Sequence, residues 1–125
     1  MQRVMLRSKI HRARVTDSNV DYEGSIAIDT RLMEAAGIIP FQKVEVYNVT
    51  NGNRFGTYAI EGEEGSGTIS VNGAAAHLAR AGDIIIIADY CVFHEEEARR
   101  HVPVLVYVNE KNEVRKVIGG VVAGA

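Results

Sequence analysis

The 125-residue chain has one cysteine, no tryptophan and no apolar run longer than that of Ile84 to Ala88. With Cys91 alone, no disulfide can close within the chain, and a reducing compartment is expected. A membrane-spanning helix needs roughly 20 apolar residues. The N-terminus, Met1 to Leu6, turns polar at once and offers no apolar stretch of signal-peptide length. A soluble, cytoplasmic protein with no membrane partner is the expectation. Charge of one sign is lacking too: 14 Lys and Arg face 16 Asp and Glu, for a net charge of −2 and a pI of about 6.1. That balance argues against a nucleic-acid partner held by bulk charge. The common catalytic signatures GxGxxG, GxSxG and HExxH are missing, as is a Walker loop. His11, His77, His94 and His101 do not combine with Cys91 into a zinc spacing, so no metal is expected, and Cys91 reads as a small core residue.

What is present is an ordinary globular balance, 46% hydrophobic and 24% charged. No Pro/Gly/Ser-rich linker divides it, so residues 1–125 are read as a single domain. Short strands are predicted at Val4–Leu6, Lys9–Thr16, Lys43–Asn48, Arg54–Ile60, Thr68–Val71, Asp83–Tyr90 and Val102–Val108. Asn51-Gly52 predicts a hairpin, and Asn72-Gly73 a second sharp turn. Asp29 can cap a helix that runs through Arg31 to Ala35 and stops at Gly37. Further short helices are predicted at Ala74–Arg80 and Glu95–Arg100, the latter acidic at its start and basic at its end. Ala35-Ala36-Gly37 before Val44–Val46 is echoed by Ala79 to Gly82 before Ile84–Ile87. Both read as helix, glycine stop, strand, and two such halves would suit a small closed barrel with pseudo-twofold symmetry.

The segment Tyr22-Glu23-Gly24-Ser25, followed by Ile26-Ala27-Ile28-Asp29, stands out by its company. Lys9-x-His11 lies upstream. Downstream come Asn48-Val49-Thr50-Asn51-Gly52-x-Arg54-Phe55-x-Thr57-Tyr58-Ala59-Ile60, then Ile69-Ser70-Val71-Asn72-Gly73-Ala74-Ala75-Ala76-His77, then Gly82-Asp83-Ile84. In order and spacing these motifs resemble the pyruvoyl-dependent aspartate 1-decarboxylases, over roughly residues 1 to 108. The tail after Val108 carries no motif of that family. The resemblance implies a mainly β fold, a small double-psi β-barrel with short helices, assembled as a homotetramer. It implies a carbon–carbon lyase that converts L-aspartate to β-alanine and CO2 through a Schiff base, supplying pantothenate synthesis. The covalent pyruvoyl cofactor would come from Ser25 by self-cleavage after Gly24, giving a β chain of residues 1–24 and an α chain of residues 25–125. Cleavage by this reading is spontaneous or assisted by a separate maturation factor.

The residues make chemical sense in those roles. Decarboxylating an α-amino acid leaves electrons that no standard side chain can accept, so a carbonyl cofactor is required. Ser25 would attack the Gly24 carbonyl, and β-elimination would release the chain ending at Gly24. Gly24 suits a scissile position that needs strained backbone. By resemblance, Thr57 supplies a donor to the oxyanion and Tyr58 the proton that ends the reaction. Arg54 can grip a carboxylate bidentately or be a solvated strand charge. Lys9, on one strand face with His11, can add a second positive charge or guard a sheet edge. Asn72 with the backbone of Gly73, Ala74 and Ala75 fits a substrate pocket or a plain turn. Tyr22, His11, Tyr47 and Ile86 would line the pocket. Better-known members of the family carry Trp where this chain has Tyr47, which is smaller and adds a hydroxyl. Strand alternation sets Arg54 and Tyr58 on one face and Thr57 on the other. A bulge near Gly56, or a subunit interface that uses both faces, would reconcile the three. Competing readings are a non-catalytic β-barrel that binds a small ligand or a protein, and a pyruvoyl decarboxylase of another amino acid.

Overall fold

The computed structural model describes residues 1–120. Its strands are β1 (Gln2–Arg14), β2 (Asp17–Asn19), β3 (Ser25–Asp29), β4 (Lys43–Asn48), β5 (Arg54–Gly62), β6 (Ile69–Asn72), β7 (Ile84–His94), β8 (Val104–Val108) and β9 (Val114–Ile118). The described residues also form helix α1 (Thr30–Ala36), helix α2 (Glu95–Arg100) and a 3-10 turn, Gly73–His77, between β6 and β7. The protein is mainly β, as the sequence predicted.

The strands stand in the order β2-β6-β3-β5-β4-β7-β1-β8-β9. β1 and β2 are one run of chain interrupted only at Val15 and Thr16. The row from β2 to β1 therefore ends where it began and closes into a small barrel. Val15 N–H donates to the Asp83 carbonyl at 2.9 Å and Thr16 N–H to the Ile69 carbonyl at 2.8 Å, which carries the ring across the interruption. The two halves match in their pairings. β3 lies antiparallel to β6, and β4 antiparallel to β7. β5 is antiparallel to β4 and parallel to β3; in the run formed by β1 and β2, β1 is antiparallel to β7 and β2 parallel to β6. The strand pairings thus repeat between the two halves, but the helix–glycine–strand echo in the sequence does not: Gly37 ends a helix, whereas Ala79 to Gly82 is loop and turn. Outside the ring, β8 adds parallel to β1, and β9 antiparallel to β8.

Alternation along the strands fills the barrel. Ile10, Ile26, Ile28, Val44, Val46, Ile69, Val71, Ile85 and Ile87 are all buried, and each contributes about 1.5–3 kcal/mol by leaving water. Leu32, Met33 and Ala36 put one side of α1 into the same core. α1 starts and stops as predicted: the Asp29 carboxylate accepts from Arg31 N–H at 2.9 Å, and Gly37 ends the helix at φ 72°. Arg7 donates to the carbonyls of Ala36 (3.1 Å) and Gly37 (2.8 Å) and pairs with the buried Asp89. That ties the end of α1 to β1 and β7.

Four details depart from the sequence reading. Val4–Leu6 and Lys9–Thr16 are one strand, β1, bent by register shifts at Leu6/Ser8 and Ile10/Ala13. β2, β3 and β9 were not among the predicted strands; each makes sense only beside its partner strands. The predicted helix Ala74–Arg80 is the shorter 3-10 turn, because its carbonyls have other partners. Ser18 takes those of Ala76 and Ala79, while Asn48, Asn51 and Asn53 all donate to Leu78. Finally, the tail beyond Val108 is part of the fold. Asn112, 3% exposed and at φ 60°, accepts from Arg14 N–H and donates to the carbonyls of Arg14 and Gly67, each at 2.8 Å. Asn112→Ala should lose about 2–4 kcal/mol of stability, since buried backbone groups lose their partners. The expected fall in Tm is roughly 10 °C. A melting curve within about 2 °C of wild type would show that the β8–β9 turn is not fastened here.

Candidate active site

β3 begins at Ser25, directly after the exposed segment Val20 to Gly24. Ile26 and Ile28 point into the core, so alternation sends Ser25 and Ala27 to the outer face. Ser25 is nevertheless 3% exposed, because Asn72 of β6 lies directly opposite it. The Ser25 hydroxyl donates to the Glu23 carbonyl at 3.4 Å and accepts from the Asn72 side-chain amide at 3.2 Å. Asn72 does not spend its side chain on capping the 3-10 turn that follows.

Gly73 is the glycine this site requires. Its φ is +73°, and a Cβ there would lie 2.6 Å from Gly24 Cα and 3.2 Å from the Tyr22 carbonyl. No side chain fits between residue 73 and the Tyr22–Gly24 segment. The need expected at Gly24 itself is absent: a Cβ on Gly24 would meet nothing within 4 Å, and Gly24 is not among the left-handed glycines. Ala74 is exposed and Ala75 half-buried at the start of the turn.

Tyr58 stands next to this group. Ser25 lies one residue ahead of the Ile26–Ala59 partner pair between β3 and β5, which sets it beside Tyr58 on the outer face. Tyr58 is 38% exposed, and its ring packs 6.4 Å from that of Phe41. The β4–β5 ladder runs without a shift from Lys43–Tyr58 to Tyr47–Arg54. No bulge forms at Gly56, so Thr57 faces inward with its partner Val44, while Arg54 and Tyr58 face outward.

A second group gathers farther along the same outer face. Arg54, Tyr47 and Ile86 are direct partners across β5, β4 and β7. The Arg54 guanidinium lies over the Tyr47 ring, 4.2 Å from its centroid. The Tyr47 hydroxyl is 2.9 Å from that of Tyr90. Burial first, and the Tyr90 hydrogen bond second, push the Tyr47 phenol up to about 12, so it stays protonated in the physiological range. Lys9 belongs to the neighbouring row, opposite Ala88 and Glu45. Arg54 and Tyr58 are four strand residues apart, about 13 Å. Within one chain the guanidinium group and the Ser25 group are therefore adjoining but separate.

His11 joins neither group. Its ring meets Tyr107 edge-on at 5.5 Å, and its buried Nδ1 has no hydrogen-bond partner. Burial, with Lys9 and Arg12 nearby, holds its pKa below the usual histidine value. It borders a cavity of about 750 Å3 with Tyr107, Lys111 and Arg115; Ser25, Asn72 and Tyr58 do not line it. Among the described residues no cluster of three or more His, Cys, Asp or Glu is placed to share a metal ion, and no helix is long and apolar enough to cross a membrane.

The sequence model of the family described as aspartate decarboxylase matches residues 1–115. The chain belongs to that family. It is 58% identical to the aspartate 1-decarboxylase of Thermoanaerobacter pseudethanolicus, covering 90% of this chain and 97% of that protein. It is 54% identical to that of Hydrogenovibrio crunogenus over 91% of this chain and 88% of the relative. Against the Syntrophus aciditrophicus protein the identity is 53%, over 92% and 99%. The family match runs past Val108 and takes in the start of β9, beyond the motifs that carried the resemblance.

Two site residues escaped the sequence reading. Ser70 donates its hydroxyl to Asn72 Oδ1 at 3.0 Å. Its signal was its place two residues before Asn72, which puts both on one strand face. Tyr90, the partner of Tyr47, sits 43 residues away in sequence and gave no local signal.

Proposed function

We propose that this protein decarboxylates L-aspartate to β-alanine and CO2, using a pyruvoyl group that it makes from Ser25 by cutting itself after Gly24. The observation that carries this reading is the seating of Gly24-Ser25. The serine is buried and hydrogen-bonded at the head of a strand, its exposed leader is packed against a glycine that tolerates nothing larger, and the chain is of this family. The donor set fits a carbonyl at position 25. Asn72 already aims an N–H at that side chain, and the space above Gly73 would be open once residues 22–24 move away. Such a carbonyl, when present, accepts the electrons that the departing carboxylate leaves behind.

The other residues bind, orient and protonate. Thr57 turns inward near the Gly24 end of β3, and its hydroxyl is assigned to the Gly24 carbonyl during self-cleavage. Tyr58, beside Ser25 on the outer face, is assigned the proton that the former α-carbon needs. Arg54 is assigned to a substrate carboxylate, with Lys9 adding positive charge and Tyr47 and Ile86 forming wall; His11, turned to Tyr107, is left out of it. Gly73, Ala74 and Ala75 form the floor beside Asn72, and Tyr22 leads into the cut. Because the Arg54 and Ser25 groups are separate in one chain, a homotetramer would set one chain's Arg54 against another's position 25. Outward-facing Val4, Phe41, Tyr90 and Val92, 42–78% exposed, give such contacts apolar surface. The role would be cytoplasmic supply of β-alanine for pantothenate, and any maturation factor would act on the Val20–Gly24 segment.

Intact-mass measurement together with CO2 release from a panel of amino acids tests the proposal. The expected result is two chains, residues 1–24 and 25–125, the second beginning with a carbonyl, and activity on aspartate. An active protein of single length overturns it. Arg54→Lys keeps the charge but loses the two-pronged grip. Cutting should proceed, while kcat/KM for aspartate should fall by about 1.5–3 kcal/mol, the scale of a hydrogen bond to a charged group. Normal turnover in this variant would return Arg54 to a stacking role over Tyr47.

A further inference from the structure

Three polar side chains share the outer face of β3 and β6: Ser70, Asn72 and Ser25. Ser70 donates to Asn72 Oδ1 at 3.0 Å, and Asn72 Nδ2 donates to Ser25 Oγ at 3.2 Å. Asn72 and Ser25 are 5% and 3% exposed, so little water competes for these bonds. An asparagine amide can present either its oxygen or its nitrogen. With Ser70 holding the oxygen, the nitrogen is turned to Ser25.

A donor on Ser25 Oγ is poorly placed to help that oxygen attack, because it occupies a lone pair of the nucleophile. It suits the next step. In the first step Oγ adds to the Gly24 carbonyl carbon, the Gly24–Ser25 C–N bond breaks, and the hydroxyl proton passes to the freed amine. In the second, a base removes the Cα proton of residue 25 and the Cβ–Oγ bond breaks. Its electron pair goes to Oγ, which leaves as part of the Gly24 carboxylate. Negative charge develops on the oxygen that Asn72 faces, and a donor aimed where charge develops lowers that barrier. Oγ stays bound to Cβ until then, and β3 pairing holds Cβ in place.

We propose that Ser70 is a positioning residue for self-processing, orienting the Asn72 amide so that it stabilises the oxygen that departs with Gly24. The inference rests on the self-cleavage reading given above.

Freshly purified uncut protein is followed by intact mass, with hydroxylamine added to aliquots to split any ester at residue 25. Ser70→Ala should complete cutting roughly 10- to 100-fold more slowly, the effect of one hydrogen bond to a charged group. It should also accumulate an ester that hydroxylamine cleaves into a Gly24 hydroxamate and a chain still beginning with serine. Ser70→Thr, which keeps the hydroxyl, should cut at the wild-type rate. In an Asn72→Ala background, Ser70→Ala should add nothing, since Ser70 acts through Asn72. Melting curves of the uncut variants check the fold, and Ser70→Cys replaces the alanine variant if that one fails to fold. Ser70→Ala cutting at the wild-type rate, slowing without an ester, slowing that persists without Asn72, or a slow Ser70→Thr each overturns the inference. Wild-type protein that yields two chains upholds self-cleavage whatever the variants do; wild-type protein that never cuts removes both.

Discussion

Ser25→Ala is expected to remain one chain of 125 residues and to release no CO2 from aspartate. The substitution removes the hydroxyl proposed to open the Gly24–Ser25 bond and should leave the fold intact. Ser25 is the first residue of β3, its backbone pairing with Asn72 is independent of the side chain, and alanine fits where serine stood. Losing the Asn72 hydrogen bond leaves a buried amide donor without its partner and should cost about 1–3 kcal/mol. The measurements are intact mass, melting temperature and CO2 release on one preparation. A folded, uncut and inactive variant is the expected combination. Residual decarboxylation by the uncut chain would show that the electron sink lies elsewhere.

Tyr58→Phe should still cut itself and still be trapped with aspartate by borohydride, yet turn over about 10²–10⁴-fold more slowly, the usual worth of a positioned general acid. The ring remains, so its packing against Phe41 remains. Only the hydroxyl is lost. The placement of Tyr58 beside Ser25 makes it the phenol nearest the reacting position by strand register, whereas Tyr47 and Tyr90 occupy one another and Tyr47 is held protonated to about 12. Single-turnover kinetics separate the proton step from binding. Turnover within a few-fold of wild type would pass the proton to water or another donor and leave Tyr58 as wall.

Much of this protein is written locally. Asp29 and Gly37 set both ends of α1 through a side-chain cap and a left-handed stop, and these depend on the residues beside them. Asn51-Gly52 marks the β4–β5 connection, where Gly52 takes φ 82°. Strand alternation separates Thr57 from Arg54 and Tyr58, and the regular β4–β5 ladder keeps that separation. Motif spacing marked Gly24-Ser25 before any contact was known.

The tertiary structure decided what depends on partners far along the chain. Barrel closure joins β2 to β6 across about 50 residues of sequence, and no local pattern encodes a parallel pair. The helix expected after Ala74 is cut short by Ser18 of β2 and by three asparagines at the end of β4 and in the β4–β5 connection, which claim its carbonyls. Gly73, rather than Gly24, proves to be the glycine without substitute, because only the folded chain lays Tyr22–Gly24 against it. The tail after Val108 is fastened through Asn112 to β1, a contact between residues 98 positions apart. Propensity and periodicity act over one or two turns of chain, whereas the bonds that orient Ser25 and bury its neighbours form only when distant strands pair.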